Sequence, residues 1–134
     1  MGMQSFEWNS SYSVGDVTLD EQHKKLLLLC KRIAACVQNH AGRSDSEFRL
    51  VLNELIDYAR NHFEKEEQIL RSVKYPFLEE QEKEHSEYED HIVRFLYSAL
   101  AGMNDKSSLN EFLGKWWVNH ILVSDMKYAQ YLKR

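Results

Sequence analysis

Residues 51–66 read Val51-Leu-Asn-Glu-Leu55-Ile-Asp-Tyr58-Ala-Arg-Asn-His62-Phe-Glu-Lys-Glu66. Val51, Leu52, Leu55 and Tyr58 recur every three or four positions, which is the period of one helix face. His62 and Glu66 are four apart, so an imidazole and a carboxylate project from one face of the same helix. An apolar stripe therefore ends in two polar groups that a packed core would not accept without a partner.

The same pattern repeats on either side. Thr18-Leu-Asp-Glu21, Ser44-Asp-Ser-Glu47 and Ser108-Leu-Asn-Glu111 each place a hydroxyl three residues before a glutamate, the capping-box signature of a helix start. Pro76 signals a fourth start, because proline is tolerated in a first turn and forces its predecessor out of helix. The breaks are short: His40-Ala-Gly-Arg43, Ser72-Val-Lys-Tyr75 and Gly102-Met-Asn-Asp-Lys-Ser107. Four helices are expected, at about 19–39, 45–71, 77–101 and 108–131. Leu26, Leu29 and Ile33 stripe the first, Ile92, Phe95 and Leu96 the third, and Phe112, Trp116, Val118 and Ile121 the fourth. Long helices joined by short connections pack against antiparallel neighbours, which predicts an all-α, up-down-up-down four-helix bundle. Residues 1–17 lack a helical period and are expected to form an extended arm across it, the whole chain 1–134 being one domain.

Composition agrees. One proline and five glycines are few for a chain built on tight turns. A net charge of −4 disfavours a general nucleic-acid binder. The longest apolar run, Leu26-Leu-Leu-Leu-Cys30, stops at Lys31, far short of a membrane span. Cys30 and Cys36 lie six apart on one helix, about 240° around its axis, and cannot bond to each other there. They read as reduced thiols of a cytoplasmic protein.

His23 falls early in the first helix, His62 and Glu66 late in the second, Gln81 and His85 early in the third, and His120 and Asp125 late in the fourth. In an antiparallel bundle all of these lie at one level. His120 and Asp125 are five apart, about 140° past a full α-turn, and share a site only if the helix ends or bulges between them. Four imidazoles and two carboxylates converging in an apolar interior fit a metal site, and without thiolate they suit iron, manganese or zinc. The ligand count exceeds one tetrahedral site and fits two ions bridged by the carboxylates. His40, in a loop, and His91, off the face of His85, are set aside. Trp116 and Trp117 are core aromatics that could also wall a pocket beside the metals.

These residues carry a family resemblance. Trp8 and Ser-Tyr-Ser-Val-Gly15, Asp20-Glu-Gln-His23-Lys-Lys-Leu26, Tyr58 with His62-Phe-Glu-Lys-Glu66-Glu67, Tyr75-Pro76, and Trp116-Trp-Val-Asn-His120-Ile with Asp125 resemble the bacterial hemerythrins, in order along the chain. The resemblance implies a dioxygen-binding four-helix bundle with two non-haem iron ions, bridged by carboxylates and an oxo or hydroxo group. Glu66 and Asp125 would bridge, His23 and His62 would hold the iron with an open position, and His85 and His120 would hold the other. Leu26 and Trp117, with Trp116, would line the ligand pocket, and Asp20 and Tyr58 would support the ligands from outside. One position departs from the family pattern, in which a His-xxx-His pair follows Tyr-Pro. Counting along Tyr75-Pro-Phe-Leu-Glu-Glu-Gln81-Glu-Lys-Glu-His85, the first histidine is replaced by Gln81. That iron would be completed by the Gln81 carbonyl or by a water.

The expected function is binding of dioxygen or a similar small ligand, for storage, delivery or sensing. No catalytic residue is assigned, and no nucleic-acid or membrane partner is expected. Two alternatives stand: a di-iron oxidase or peroxide-handling protein with altered coordination, and a metal-depleted bundle acting as an interaction module.

Overall fold

The computed structural model describes residues 7–38, 44–102 and 106–132. Helices α1 (Val17–Gln38), α2 (Ser44–Ser72) and α3 (Leu78–Leu100) are followed by a fourth rod in three pieces. Its pieces are α4 (Lys106–Asn119), a π turn (His120–Asp125) and α5 (Met126–Leu132). Both residues flanking the π turn keep right-handed helical backbone, so the rod is continuous. α1 packs on α2 and α4, and α3 packs on α2 and α4, closing a four-helix bundle. No strand occurs among the described residues, and no helix there is long and apolar enough to cross a membrane.

Helix starts differ from the capping-box expectation in two places. α1 begins at Val17, because Asp16 Oδ1 accepts from the Leu19 N–H at 2.9 Å and caps the helix ahead of Thr18. α4 is already helical at Lys106, so Ser108 lies inside its first turn. Pro76 stands two residues ahead of α3 and not within it. The His40-Ala-Gly-Arg43 break lies outside the described residues.

The arm is wound and tethered where an extended chain is expected. Ser10–Tyr12 form a 3-10 turn capped by Asn9, whose side chain accepts from the Ser11 N–H. Trp8 and Tyr12 meet edge to face at 5.6 Å and pack on the main core. Gly15, at φ 84°, turns the chain into α1. Asp20 holds that corner, accepting from Ser13 Oγ at 2.6 Å and from the Val14 N–H at 2.9 Å.

Two apolar clusters result. The larger runs from Leu26, Leu29 and Ile33 through Phe48, Leu52 and Leu55 to Ile92, Leu113 and Trp117. The smaller gathers Val14, Leu19, Leu70, Tyr75, Tyr128 and Ala129 at one end of the bundle. On α1 and α3 the stripe-breaking polar residues lie in sequence between members of the two clusters, and Glu66 and Asp125 do so on α2 and the fourth rod, where His62 and His120 sit among the last members of the larger cluster. Apolar packing therefore closes the polar level above and below.

Candidate metal centre

Each helix brings its polar residues to this level by simple periodicity. His62 and Glu66 share a face of α2 at i and i+4, as do Gln81 and His85 of α3. The fourth helix needs the π turn. Its wider i to i+5 register returns Asp125 to the side of His120, meeting the bulge condition that five-residue spacing imposes. His23, His62, Glu66, Gln81, His85, His120 and Asp125 are all buried, and they are the buried polar residues of the described chain.

The two carboxylates divide the site into halves. Glu66 Oε2 lies 3.4 Å from His23 Nε2 and 3.5 Å from His62 Nε2. Glu66 Oε1 lies 2.9 Å from His85 Nε2 and 3.9 Å from His120 Nε2. Asp125 repeats the division, with Oδ2 3.2 Å from His23 Nε2 and Oδ1 3.0 Å from His120 Nε2. Each carboxylate thus gives one oxygen to the His23/His62 pair and the other to the His85/His120 pair. The four Nε2 atoms are nonetheless unsatisfied: none is aligned for a hydrogen bond with those oxygens. Glu66 Oε1 and Asp125 Oδ2 are likewise without hydrogen bonds. Buried polar atoms are almost always paired, so a cluster of orphans aimed at a common space fits cation ligation. Two groups of donor atoms are close enough to share an ion, His23/His62/Glu66 and Glu66/His85/His120.

Outer partners orient three of the four rings. His62 Nδ1 lies 2.7 Å from Gln22 Oε1, His85 Nδ1 2.7 Å from Glu67 Oε2, and His120 Nδ1 2.8 Å from Glu84 Oε1. An acceptor at Nδ1 puts the proton there and leaves Nε2 as a lone pair for metal. In each case the partner sits beside a ligand in sequence but serves the histidine of the next helix. His23 Nδ1 is buried with no partner among the described residues. Tyr128 donates to Glu66 Oε2 at 2.5 Å, and Ser124 Oγ donates to Glu84. None of Gln22, Glu67, Glu84 or Tyr128 is expected from the sequence as a supporting residue. The available signal was position, since Gln22, Glu67 and Glu84 each flank a ligand. Asp20, expected in that role, has its carboxylate bound to the arm. Tyr58 is half-buried against the main core and hydrogen-bonds to no ligand in the described contacts.

Burial and the mutual charge of these groups set their protonation. Burial disfavours the charged form of His23, but the carboxylates of Asp125 and Glu66 outweigh it and raise its pKa to about 9. The same balance raises His85 and, more strongly, His120. At His62 burial wins and lowers the pKa. Glu66 is held well below its ordinary value, burial being overcome by the surrounding His62, His120 and His23. Asp125 is also lowered, against both burial and Glu66, by His120 and His23. Burial and the two carboxylates push the Tyr128 phenol well above 10, so it remains a donor.

Leu26 and Trp117 are fully buried in the main core. The Trp117 ring is 6.4 Å from His62, and its indole N–H donates to Tyr88 Oη at 3.1 Å. Trp116 stands on the other half of the site, stacked on His120 at 4.3 Å. His91 is exposed, stacks on Phe112 and contacts the Glu87 carbonyl, away from the ligands. His40 lies outside the described residues. Cys30 and Cys36 are buried thiols in the core.

Residues 14–132 match the family described as the Hemerythrin HHE cation binding domain. A hemerythrin-like protein of Naegleria gruberi is 35% identical over 123 residues, covering 92% of this chain and 90% of that protein. A bacteriohemerythrin of Stenotrophomonas maltophilia (strain R551-3) is 24% identical over 126 residues, covering 94% of this chain and 80% of its own. In fold, the chain is similar to the solved structure of wild-type hemerythrin, with a TM-score of 0.82 at 24% identity over 96% of this chain and 98% of that one.

Proposed function

The chain belongs to the hemerythrin family of non-haem di-iron, dioxygen-binding proteins, and on that premise we propose that it holds two iron ions in the centre described above and binds dioxygen or a similarly small ligand there. The observation that carries the reading is the division of the carboxylates. Glu66 and Asp125 each offer one oxygen to each histidine pair, around four Nε2 atoms that make no hydrogen bond. One cation would satisfy one half of that arrangement and leave the other orphaned.

Bound iron would supply an exchangeable coordination position and the electrons that dioxygen binding draws on. The protein side chains do the rest. His23 and His62 would hold one ion, His85 and His120 the other, and Glu66 and Asp125 would each give an oxygen to both. Gln22, Glu67 and Glu84 keep the proton on Nδ1 of their histidines, so that Nε2 is free to ligate. Tyr128 keeps its proton at every physiological pH and spends it on Glu66 Oε2, fixing the bridging carboxylate. Leu26 and Trp117 exclude water beside the His23/His62 half. On this reading its role is binding, for storage, delivery or sensing, and not turnover.

Iron content tests this. Metal-free protein titrated anaerobically with iron(II) should approach two equivalents per chain, and air should then develop the near-ultraviolet absorption of an oxidised dinuclear centre. A plateau at one equivalent would rule out the dinuclear reading.

A further inference from the structure

Gln81 stands one turn before His85 and is 3% exposed. Its amide nitrogen lies 3.2 Å from the Ser124 carbonyl oxygen and 3.2 Å from Asp125 Oδ1. Both of those groups only accept, so the end of the amide that faces them must be the NH2 group. Turning the amide over would set three oxygens against one another. Two donated hydrogen bonds therefore fix Oε1 on the opposite side, where it is buried and accepts nothing from the described residues. A glutamine kept for packing or for a hydrogen-bond network would meet an N–H there. Asp125 Oδ1 is the oxygen 3.0 Å from His120 Nε2, so the amide lies on the His85/His120 half of the centre. Outside it, a recess of about 20 Å³ is bordered by Tyr75, Phe77, Glu80, Glu84, Ser124 and Lys127. That is room for roughly one water.

We propose that Gln81 is itself a metal ligand, giving its side-chain carbonyl oxygen to the ion held by His85 and His120. The proposal rests on the dinuclear reading above. Its consequence is an unequal pair of sites: one half gains a neutral oxygen donor from the protein and the other does not. An amide oxygen is a harder and weaker donor than imidazole towards divalent iron or cobalt. The Gln81 ligand is replaceable, and the recess behind it has room for a water that could take its place.

The test is an anaerobic cobalt(II) titration of the metal-free protein, followed by visible absorption against a competing chelator. The parent chain is expected to take two equivalents. Gln81→Leu should weaken one of the two about tenfold or more and leave the other unchanged. Leucine is used because alanine would open the position to the recess and let a water ligate. Gln81→His should tighten the same equivalent by roughly tenfold and shift its cobalt bands, as a nitrogen replaces an oxygen. Gln81→Leu that titrates as the parent does, in affinity and in spectrum, would overturn the proposal. If circular dichroism shows Gln81→Leu unfolded, Gln81→His decides alone, and unchanged affinity and bands overturn it. A parent chain that takes fewer than two equivalents instead overturns the dinuclear reading, and does so before any variant is compared.

Discussion

Tyr128 reaches Glu66 from a helix that contributes Asp125 three residues earlier, so one turn of the fourth rod supplies both a carboxylate and the donor that steadies its counterpart. The phenol cannot ionise in reach of two buried carboxylates, and the hydrogen bond persists across the usable pH range. Tyr128→Phe keeps the ring that packs on Tyr75 and in the end cluster, but leaves Glu66 Oε2 without its donor. Removing one partner from a buried charged acceptor costs about 1–3 kcal/mol. Urea unfolding of chelated protein should show a loss of that size, and an unchanged midpoint would mean the short contact contributes nothing. The other supporting contacts form a relay in which α1 serves α2 through Gln22, α2 serves α3 through Glu67, and α3 serves α4 through Glu84. The relay stops at His23, whose Nδ1 has no acceptor among the described residues. These partners are not legible in the sequence, because each pairing depends on how neighbouring helices are rotated, and spacing along one chain does not encode that.

At the scale of the element, the apolar stripes of Val51, Leu52 and Leu55 and of their counterparts carry the four helices, and the structure keeps them in or against the main core except Val118, which is half-buried outside it while Leu113 and Trp117 carry the inner face of α4. The starts are harder to read. Asp16 and Thr18 are both good caps two residues apart, and only the geometry of the arm, with Asp20 gripping Ser13 and Val14, decides for Asp16. The π turn is legible only as a condition on His120 and Asp125, since nothing in His-Ile-Leu-Val-Ser-Asp specifies a bulge over an end. Its geometry makes a sharp prediction. Deleting Val123, which is exposed, leaves His120 and the aspartate four apart. In an α-helix that is about 40° off alignment, so both still face the centre. The deletion should straighten the rod and retain about two iron equivalents. Inserting an alanine after Val123 puts the carboxylate six residues on and off the face in either register. That variant should lose iron. Equal loading of the two would mean that Asp125 does not bridge.

For the whole molecule, the level-matching of polar residues is legible because antiparallel packing is implied by short connections, and the structure brings those residues to one buried layer between two apolar clusters. That layer makes the metal-free protein sensitive to pH in a direction that can be worked out. His23 in the fold has a pKa near 9 against an ordinary value of 6.5, so between these values the folded chain holds a proton that the unfolded chain does not. Its stabilisation is full below pH 6.5 and is lost as pH rises through about 9. His85 and His120 are also raised and act in the same sense. His62 is lowered, and its contribution is lost only as pH falls below 6.5, so it leaves the alkaline window untouched. The lowered carboxylates of Glu66 and Asp125 act further to the acid side still. Chelated protein should therefore melt at a lower temperature at pH 9 than at pH 6.5. Iron-loaded protein should not, because the cations occupy the lone pairs that the protons had held, and metal affinity rises as competing protons leave. Melting curves of both forms at the two pH values check this. A chelated protein equally stable at both would mean that the imidazoles of the layer are neutral in the metal-free fold, and that the carboxylates are not what holds it together.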